Sequence, residues 1–413
     1  MVSWEYPPVV VGGLGRHVHA LAGELAAAGH EVVVVSRQPA GSDAETHPTT
    51  DEARDGIRVL RVAEDPPHLE FDRDLVAWTL AMGHGMLRAA LTRLGTWRPD
   101  VVHAHDWLVA HPAIALADVW EVPLVATMHA TEAGRYAGWL SSPLSRQVHS
   151  AEWWLAHRAD TLITCSAAMR SEVAELYDLD PTPIAVLHNG IAPRRWRSSP
   201  ARVREARERY APGGAPVLLY FGRLEYEKGV QDLIAALPRI RRAHPGTRLL
   251  VAGTGTGAEQ LVAAAKAHRV RRSVTFTGRL PDADLAALLR GVDAVVLPSR
   301  YEPFGIVALE AAAAGAPLVA STAGGLGEVV LDGETGLSFT PGDVAGLAAA
   351  AGAVLSDPAA AARRARAARK RLGSAFDWAR IAAATAAAYA AAVRGGPGEL
   401  GRPKIPTGNV FGR

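Results

Sequence analysis

Two glutamates eight positions apart, Glu302 and Glu310, could bind two hydroxyl-rich parts of one ligand. An apolar run before them, 294–297, predicts a buried strand, and 307–314 predicts a helix that ends at a glycine. Glu302 then lies on the loop between the two elements, and Glu310 lies about two turns into the helix. Each carboxylate can accept hydrogen bonds from hydroxyls, and the helix N-terminus between them offers backbone N–H groups to an anion. The pattern favours a sugar nucleotide, which has hydroxyls at both ends and a diphosphate in the middle.

Two cations on one loop could bind that diphosphate. Arg223 and Lys228 follow a predicted strand at 217–221, and each charge-assisted contact would contribute about 1.5–3 kcal/mol. The alternative is a solvent-exposed loop whose cations pair with Glu225 and Glu227. Together with the two glutamates, the diphosphate interpretation is the stronger one.

A glycine-rich turn at 12–15 opens the first predicted helix, where the backbone can approach a phosphate or a sugar closely. Gly13 is the candidate residue of this turn. A similar turn at 324–326 precedes another helix and could present N–H groups to the same diphosphate.

A third glycine-rich segment, 253–258, matches the G-x-G-x-x-A form of the dinucleotide-binding fingerprint and follows a predicted strand. The fingerprint requires an acid about 20 residues later, at the end of the next strand. That strand, 274–276, is followed by Thr277 and Gly278, so it supplies no carboxylate for a ribose diol. We therefore do not expect NAD binding. We expect a loop close to the nucleotide and assign Gly278 to the donor site.

Two further polar residues follow predicted strands. His129 ends a strand at 124–128 and could donate to a sugar hydroxyl or to the bond being broken, although a single histidine is more often structural. Asp106 lies just past a strand at 101–104 and could orient a sugar hydroxyl or an acceptor. Both lie at carboxyl ends of strands, where ligands of parallel sheets bind.

The sequence predicts no metal site. We place His103 and His105 on opposite faces of their strand, which argues against a shared ion. Two Asp-x-Asp pairs resemble metal-binding motifs but do not follow a strand: Asp72 with Asp74, and Asp282 with Asp284. Arg223, Lys228 and helix dipoles would neutralise the diphosphate instead.

The candidate residues need a scaffold, and near-continuous apolar strands alternating with helices predict one. Two such series indicate an α/β fold of two doubly wound, Rossmann-like domains with an interdomain cleft. A basic stretch rich in Pro and Gly, around 193–214, separates the series. We assign 1–195 to an acceptor-side domain, 196–376 to a nucleotide-sugar-binding domain, and 395–413 to a disordered tail.

Bulk composition excludes several classes of protein. A chain of 413 residues is too long for one ordinary core, and a net charge of +2 gives no nucleic-acid footprint. The single cysteine, Cys165, fits a reducing cytoplasm, and no apolar run reaches the ~18 residues of a transmembrane span. The basic residues within 363–371 spread around a helix, which favours a solvated helix over a membrane surface. The opening residues 1–3 look like the tail of a strand, so we expect a few residues to be missing upstream.

Six segments carry a resemblance to one enzyme group, and the last two, in this order and spacing, are the most specific. They are Ser3-Trp4-Glu5-Tyr6-Pro7-Pro8, Gly12-Gly13-Leu14-Gly15, His103-Ala104-His105-Asp106-Trp107, His188-Asn189-Gly190-Ile191, Gly222-Arg223-Leu224-Glu225-Tyr226-Glu227-Lys228-Gly229 and Pro298-Ser299-Arg300-Tyr301-Glu302-Pro303-Phe304-Gly305. Nearly the whole chain resembles the GT-B glycosyltransferases, specifically the retaining family 4 type that includes maltose-1-phosphate synthases and glycogen synthase-like enzymes. The N-terminal half is similar to actinobacterial α-1,4-glucosyltransferases that build glycogen or the glucan of methylglucose lipopolysaccharide.

The resemblance implies a role for each candidate. Glu302 would contact the donor glucose, Glu310 the ribose hydroxyls, and Arg223 with Lys228 the diphosphate. His129 and Asp106 would lie near the transferred sugar. The remaining implied contacts are Gly13 near the phosphate, backbone groups of Phe304, Gly305 and Ile306 at the sugar, and a final helix, 377–394, that packs back on the first domain.

The predicted activity is retaining transfer of glucose from a nucleotide diphosphate to an α-1,4-glucan or a glucose-1-phosphate-type acceptor, without a cofactor or metal. One departure from the family pattern is Val10, where bacterial glycogen synthases carry a lysine. It argues against an ordinary glycogen synthase and against ADP-glucose as the obligatory donor. Three alternatives stay open: a mannosyl- or glycosyltransferase with a lipid or small acceptor, a GT-B epimerase, and a catalytically silent binding module.

Overall fold

The computed structural model describes residues 1–39, 45–63, 68–210 and 212–395. These residues form two compact units: unit 1 is Met1–Leu187 with the chain from Ala379 onward, and unit 2 is His188–Trp378. The sequence placed the first boundary after residue 195. The segment after Leu187 belongs to unit 2 because Ile191 N donates to Phe376 O at 3.0 Å and Trp196 is buried. The predicted disordered tail lies outside the described residues, apart from Gly395, which ends a helix.

The described part of unit 1 contains one eight-stranded sheet. Its strands are β1 (Val2–Ser3), β2 (Val32–Arg37), β3 (Thr50–Arg54), β4 (Ile57–Val62), β5 (Val102–His105), β6 (Leu124–Met128), β7 (Thr161–Thr164) and β8 (Ala185–Val186). The order is β3-β4-β2-β1-β5-β6-β7-β8, and neighbouring strands are parallel except β3 and β4. The strand order reverses between β1 and β5, which brings the loops after these two strands together.

The helices of unit 1 alternate with its strands. They are α1 (Gly13–Ala27), α2 (Leu75–Arg93), α3 (Ala110–Trp120), α4 (Glu132–Arg135), α5 (Pro143–Arg158) and α6 (Ala167–Tyr177).

The β3–β4 hairpin was not predicted from the sequence. Its two-residue turn is Asp55-Gly56, with φ values of 53° and 77°, which is the positive-φ pairing that such hairpins need. The strand β3 is almost wholly exposed, so it lacks the apolar run by which the other strands were identified.

Unit 2 contains a six-stranded sheet within its described residues, and all of its strand pairs are parallel. The strands are β9 (Val217–Phe221), β10 (Arg248–Ala252), β11 (Val274–Gly278), β12 (Ala294–Leu297), β13 (Leu318–Ser321) and β14 (Leu337–Phe339). Their order is β11-β10-β9-β12-β13-β14. The order reverses between β9 and β12, so the loops that follow these two strands meet at the switch point where ligands of doubly wound sheets bind.

Helices cover the sheet of unit 2. They are α7 (Pro200–Tyr210), α8 (Val230–Ala243), α9 (Ala258–Ala267), α10 (Asp282–Gly291), α11 (Ile306–Ala314), α12 (Leu326–Val329), α13 (Val344–Ser356) and α14 (Pro358–Ala375). The sequence did not predict α7, because none of its residues is buried and it has no apolar periodicity. In α14, small or apolar residues at 361, 365, 368 and 372 are buried, so most of its basic side chains face solvent.

No single helix in the described part of the chain is long and apolar enough to cross a membrane. The pair α13 and α14 passes the length and composition test only jointly, and the two helices are bent by 102° at the break between them.

The last helix, α15 (Trp378–Gly395), belongs to unit 1 from Ala379 onward. Its Ala392 packs with Val125 and Ile163 of the sheet. The hydroxyl of Tyr389 lies 2.6 Å from His103 Nδ1 on β5. Apolar packing and one buried polar contact therefore hold α15 to unit 1.

We expect Tyr389→Phe to lower the free energy of unfolding by about 1–3 kcal/mol, because it leaves the buried His103 Nδ1 without its partner. The same substitution should increase the rate of hydrogen exchange of the α15 amides. Mass spectrometry on peptides covering 381–392 measures this rate. Tyr136→Phe is the matched control, since Tyr136 is 56% exposed. Unchanged protection of α15 in Tyr389→Phe would show that the hydroxyl does not anchor the helix.

Candidate active site

Two loops of unit 2 lie against each other at the β9/β12 switch point. A Cβ on Gly229, at the end of the first loop, would lie 1.8 Å from Pro298 O at the start of the second. Gly229 also has a φ of 69°, which L side chains rarely adopt. Farther along the second loop, Arg300 N donates to Glu227 O at 2.7 Å. The backbones of the loops are thus in direct contact, which only glycine at position 229 permits.

The guanidinium of Arg300 reinforces this contact. It donates two 2.8 Å hydrogen bonds to the carboxylate of Asp232 in α8, and a third to the hydroxyl of Tyr226. Paired N–H···O bonds between a planar guanidinium and a carboxylate fix orientation as well as distance. Arg300 therefore connects the loop after β12 to the helix that follows the loop after β9.

The two loops bring together two of the candidate residues, Lys228 and Glu302. Lys228 Nζ donates to Glu302 Oε2 at 2.9 Å, and the side chains are only 15% and 12% exposed. Ser299 Oγ donates to the same oxygen at 3.2 Å. An ammonium group has three N–H donors, so Lys228 can bind an anion while it holds Glu302. The second oxygen, Glu302 Oε1, has no hydrogen bond to the described part of the chain and can accept one from a ligand.

Arg223 lies on the same loop, and Tyr220 fixes its backbone by donating to Arg223 O at 2.6 Å. Burial raises the pKa of Tyr220, and the charge of Glu302 adds to that rise while Arg223 opposes it. Both charges therefore act on one hydroxyl at the end of β9. The Arg223 guanidinium lies 3.2 Å from Glu227 Oε1 and is 44% exposed. Arg223 therefore pairs with Glu227 of the same loop, as the alternative interpretation of this loop expected.

The segment after Glu302 forms a sharp entry into α11. Gly305 has a φ of 106° and precedes Ile306, the first residue of the helix. Phe304 is buried, with its ring 5.6 Å from that of His188 and 5.9 Å from that of Phe376. A buried aromatic ring and a positive-φ glycine therefore set the position of the helix N-terminus, which can bind an anion.

Glu310 lies closer to the N-terminus of α11 than we predicted. The helix begins at Ile306, so Glu310 is its fifth residue and lies just over one turn in, not two. Its side chain is 6% exposed. The predicted start at 307 already made Glu310 the fourth residue of the helix, so the predicted depth of two turns was an overestimate; the observed helix begins one residue earlier, directly after the turn at Gly305.

The glycine-rich segment 253–258 packs against the loop after β9. A Cβ on Gly253 would lie 1.8 Å from Gly222 O, and one on Gly255 would lie 2.6 Å from Leu224 N. Leu224 N donates to Thr254 O at 2.9 Å. These glycines allow backbone contact between two loops, a structural reason for the motif that needs no dinucleotide. Gly278, the last residue of β11, joins this region by accepting a hydrogen bond from Gly253 N at 2.9 Å.

In unit 1, a carboxylate faces the glycine-rich turn that contains Gly13. Glu5 Oε2 accepts hydrogen bonds from Val11 N at 2.8 Å and Gly12 N at 3.0 Å, and from Gly15 N at a longer 3.4 Å. A negative charge at this position also suits the start of α1. The sequence analysis did not predict that Glu5 binds these backbone amides, although Glu5 lies in one of the six segments that carry the family resemblance. Gly13 itself is the first residue of α1.

The other unit 1 candidates, His129 and Asp106, are joined directly. Asp106 Oδ1 accepts from His129 N at 2.7 Å. Burial lowers the pKa of the His129 imidazole to about 4 and raises the pKa of the Asp106 carboxyl to about 7. His129 is therefore neutral at pH 7 and can donate or accept a hydrogen bond.

The assignment of His103 and His105 to opposite faces of their strand is wrong. Residues two apart on a strand share a face, and the two ring centroids are 4.1 Å apart. His103 is held by Tyr389 and, at 2.7 Å, by Thr127 Oγ1. His105 Nδ1 instead lies 3.3 Å from His129 Nε2.

Comparisons with known proteins agree with this architecture. The family profile described as Glycosyltransferase Family 4 matches residues 11–195, and that described as Glycosyl transferases group 1 matches residues 203–371. A glycogen synthase of Mycobacterium tuberculosis is 60% identical over 400 residues, which cover 96% of this chain and 95% of the relative. The chain belongs to glycosyltransferase family 4. The predicted family is thereby confirmed.

Solved structures support the same conclusion for the fold of this family 4 glycosyltransferase. Sucrose-phosphate synthase from Thermosynechococcus elongatus superposes with a TM-score of 0.79 at 25% identity, covering 94% of this chain and 97% of that one. The catalytic domain of starch synthase IV from Arabidopsis thaliana, solved with ADP and acarbose, gives 0.73 at 17% identity, covering 95% and 98%. The two parallel-sheet units are those of the GT-B fold, as the sequence predicted.

A buried acid near the candidates of unit 1 makes stability depend on pH. Both carboxylate oxygens of Glu152 accept from Glu132 N, at 2.9 and 3.1 Å, and Tyr177 OH donates to one of them at 2.9 Å. Burial outweighs these hydrogen bonds and raises the pKa of Glu152 from 4.5 to about 8. The folded chain therefore keeps a proton here that the unfolded chain releases.

Because the folded pKa is the higher one, the stability contribution of neutral Glu152 is complete below pH 4.5 and is lost as the pH rises to about 8. We expect Glu152→Gln to gain stability relative to the parent chain across this window, by at most about 1.4 kcal/mol per pH unit. Denaturant unfolding of both chains at pH 5, 6.5 and 8 measures the difference. Glu175→Gln, an exposed position on α6, controls for the loss of a carboxylate. A difference that does not change with pH would mean that Glu152 is ionised in the folded state.

Proposed function

We propose that this chain transfers glucose from a nucleotide diphosphate donor to the 4-hydroxyl of an α-1,4-glucan or to a glucose-1-phosphate-type acceptor, with retention of configuration. The observation that carries the proposal is the Lys228–Glu302 pair at the β9/β12 switch point, which combines a cation for phosphate with a carboxylate for hydroxyls. The glucan specificity is supported by the 60% identity to a protein named glycogen synthase. A cytoplasmic location suits the single buried cysteine, Cys165.

Lys228 and Arg223 would act on the diphosphate. Negative charge grows on the β-phosphate as the glycosidic bond breaks, so fixed cations there stabilise the transition state more than the ground state. Glu302 holds the Lys228 ammonium in place, which removes the need to reorganise it during the reaction. The N-terminus of α11, entered through Gly305, adds the partial positive charge of its N–H groups.

The carboxylates would bind hydroxyls of the donor. Glu302 Oε1 would accept from the glucose, with Phe304, Gly305 and Ile306 giving backbone contacts. Glu310 would bind the ribose hydroxyls, and a buried carboxylate is suited to this because desolvation strengthens a hydrogen bond to a charged acceptor. Gly278 would lie near the nucleotide.

Unit 1 would act on the transferred sugar and the acceptor. The neutral imidazole of His129 would donate to a sugar hydroxyl, and Asp106 would hold the backbone of His129 while orienting the sugar. Gly13 would approach the phosphate. The departing phosphate would take the proton of the acceptor on the same face, so the proposal needs neither a covalent intermediate nor a metal ion.

A different acceptor is favoured by one comparison. A protein named D-inositol 3-phosphate glycosyltransferase, from Kineococcus radiotolerans, is 33% identical over 94% of this chain and 93% of its own length. The alternative is therefore transfer to a small phosphorylated acceptor. At 60% identity, the glycogen synthase relative outweighs it.

A donor and acceptor panel tests the proposal. ADP-, GDP- and UDP-glucose and GDP-mannose would each be incubated with maltooligosaccharides, glucose 1-phosphate or an inositol phosphate, and with no acceptor. We expect either a ladder of longer α-glucans or maltose 1-phosphate from a glucose donor, with an α-linkage in the first-formed product by NMR. Product only on the inositol phosphate would favour the alternative, and an isomerised sugar from donor alone would identify an epimerase.

We expect Lys228→Ala to lower kcat by about 10²–10³-fold, because it removes a preorganised cation from the departing phosphate. The loss of stability should be only about 1–2 kcal/mol, between the values for exposed and buried ion pairs. Steady-state kinetics and denaturant unfolding measure the two effects. Lys266→Ala, on the exposed face of α9, is the matched control. Turnover within about tenfold of the parent chain would refute the role of Lys228 in catalysis.

A further inference from the structure

Three histidines of unit 1 come together although they are far apart in the sequence. His17 lies on α1, His105 ends β5, and His129 follows β6. One ring nitrogen of each can be chosen such that all three lie within 4.8 Å of one another. The fold brings them together because α1 follows β1, which is the neighbour of β5, and β5 is the neighbour of β6.

The spacing of two of these nitrogens is that of metal ligands. His105 Nδ1 and His129 Nε2 are 3.3 Å apart. Two nitrogens bound to tetrahedral zinc at about 2.0–2.1 Å would be roughly 3.3–3.4 Å apart. The same 3.3 Å separation also permits an N–H···N hydrogen bond when no ion is bound. The distance between the two nitrogens therefore suits an ion bound by both.

The third ring lies beside these two, with one nitrogen within 4.8 Å of theirs. The centroid of His17 is 4.7 Å from that of His129 and 5.6 Å from that of His105, and its plane is steeply inclined to both. His17 and His105 are buried, whereas His129 is partly exposed. Three protein ligands with access beside one of them leave room for a fourth ligand from solvent or substrate.

The surroundings can balance the charge of an ion. The carboxyl of Asp106 is bonded to the backbone of His129, and Glu5 lies near enough to Asp106 for their charges to interact. His103 is not a ligand, because Tyr389 and Thr127 hold both of its ring nitrogens. His105 Nε2 has no hydrogen-bond partner in the described part of unit 1, and this is so whether or not an ion binds at Nδ1.

We propose that His17, His105 and His129 bind one Zn²⁺ or a similar transition-metal ion, with one coordination position open. An all-imidazole set selects ions such as Zn²⁺, Co²⁺, Ni²⁺ and Cu²⁺ over Mg²⁺ and Ca²⁺, which prefer oxygen ligands. The ion binds Nε2 of His129, the residue that we propose contacts the transferred sugar, so it inhibits transfer reversibly. The inhibition rests on the proposed function, whereas the binding does not.

Cobalt binding to the whole chain tests the site without reference to activity. The chain, freed of metal with EDTA and dialysed, is titrated with Co²⁺ while visible absorption is recorded. We expect one Co²⁺ per chain with the strong bands of tetrahedral coordination, displaced by Zn²⁺ but not by Mg²⁺. A parent chain that binds no Co²⁺, or that shows only the weak bands of octahedral Co²⁺, overturns the proposal.

Two variants locate the ion. His17→Gln and His129→Gln should each weaken Co²⁺ binding at least tenfold, while His30→Gln, at an exposed position after α1, should bind like the parent. Thermal unfolding of each variant checks that it is folded. Equal binding by a folded His17→Gln chain and the parent would also overturn the proposal.

Activity separates this inference from the proposed function. We expect equimolar Zn²⁺ to inhibit glucosyl transfer and EDTA to restore it. Binding without inhibition would retain the metal site and overturn the assignment of His129 to the transferred sugar.

Discussion

The candidate donor site depends on one contact between backbones. The loop after β9 and the loop after β12 approach so closely at Gly229 and Pro298 that no side chain fits between them. This contact sets the distance between Lys228 and Glu302, whose side chains form a largely buried ion pair. A lysine has a long and flexible side chain, so its ammonium group is well positioned only where packing and a partner restrict it. The proposed chemistry of unit 2 thus depends on a steric constraint as much as on charge.

Other glycines around this site also allow close contact between backbones. Gly253 and Gly255 let the segment 253–258 approach the loop after β9, and Gly324 lets the turn before α12 approach Glu302, since a Cβ there would lie 2.4 Å from Glu302 O. Four loops at the carboxyl ends of the neighbouring strands β10, β9, β12 and β13 are therefore in contact through glycines. These contacts fix the relative positions of the loops, and stabilisation of a developing charge requires groups that are already positioned.

Unit 1 uses buried polar groups in place of close backbone contacts. Glu5 accepts from the amides at the start of α1, and Asp106 accepts from the amide of His129. Each carboxylate accepts hydrogen bonds from backbone N–H groups that strands and helices leave unpaired at their ends. The fold also brings the imidazoles of His17, His105 and His129 close together. In our proposals an ion and a sugar hydroxyl would both bind at His129, so they would compete for this residue.

The sequence alone determined the α/β class, the alternation of most strands and helices, and the residue types at the candidate site. Apolar runs at 217–221 and 294–297 identify buried strands, and the order of motifs such as 222–229 and 298–305 identifies the family. These signals are local, because burial on both faces of a parallel sheet leaves a continuous apolar run. The helix α7 and the strand β3 were not predicted, because these exposed elements have no continuous apolar run.

Only the tertiary structure decided which residues meet. Nothing in the spacing of Lys228 and Glu302 shows that they pair, and nothing in the sequence places Glu5 at the start of α1 or His17 beside His105 and His129. The order of strands in each sheet brings these residues together, and strand order is set by packing between elements distant in the chain. Residue types are therefore a local property of this chain, whereas the distances that give them a function arise from long-range packing.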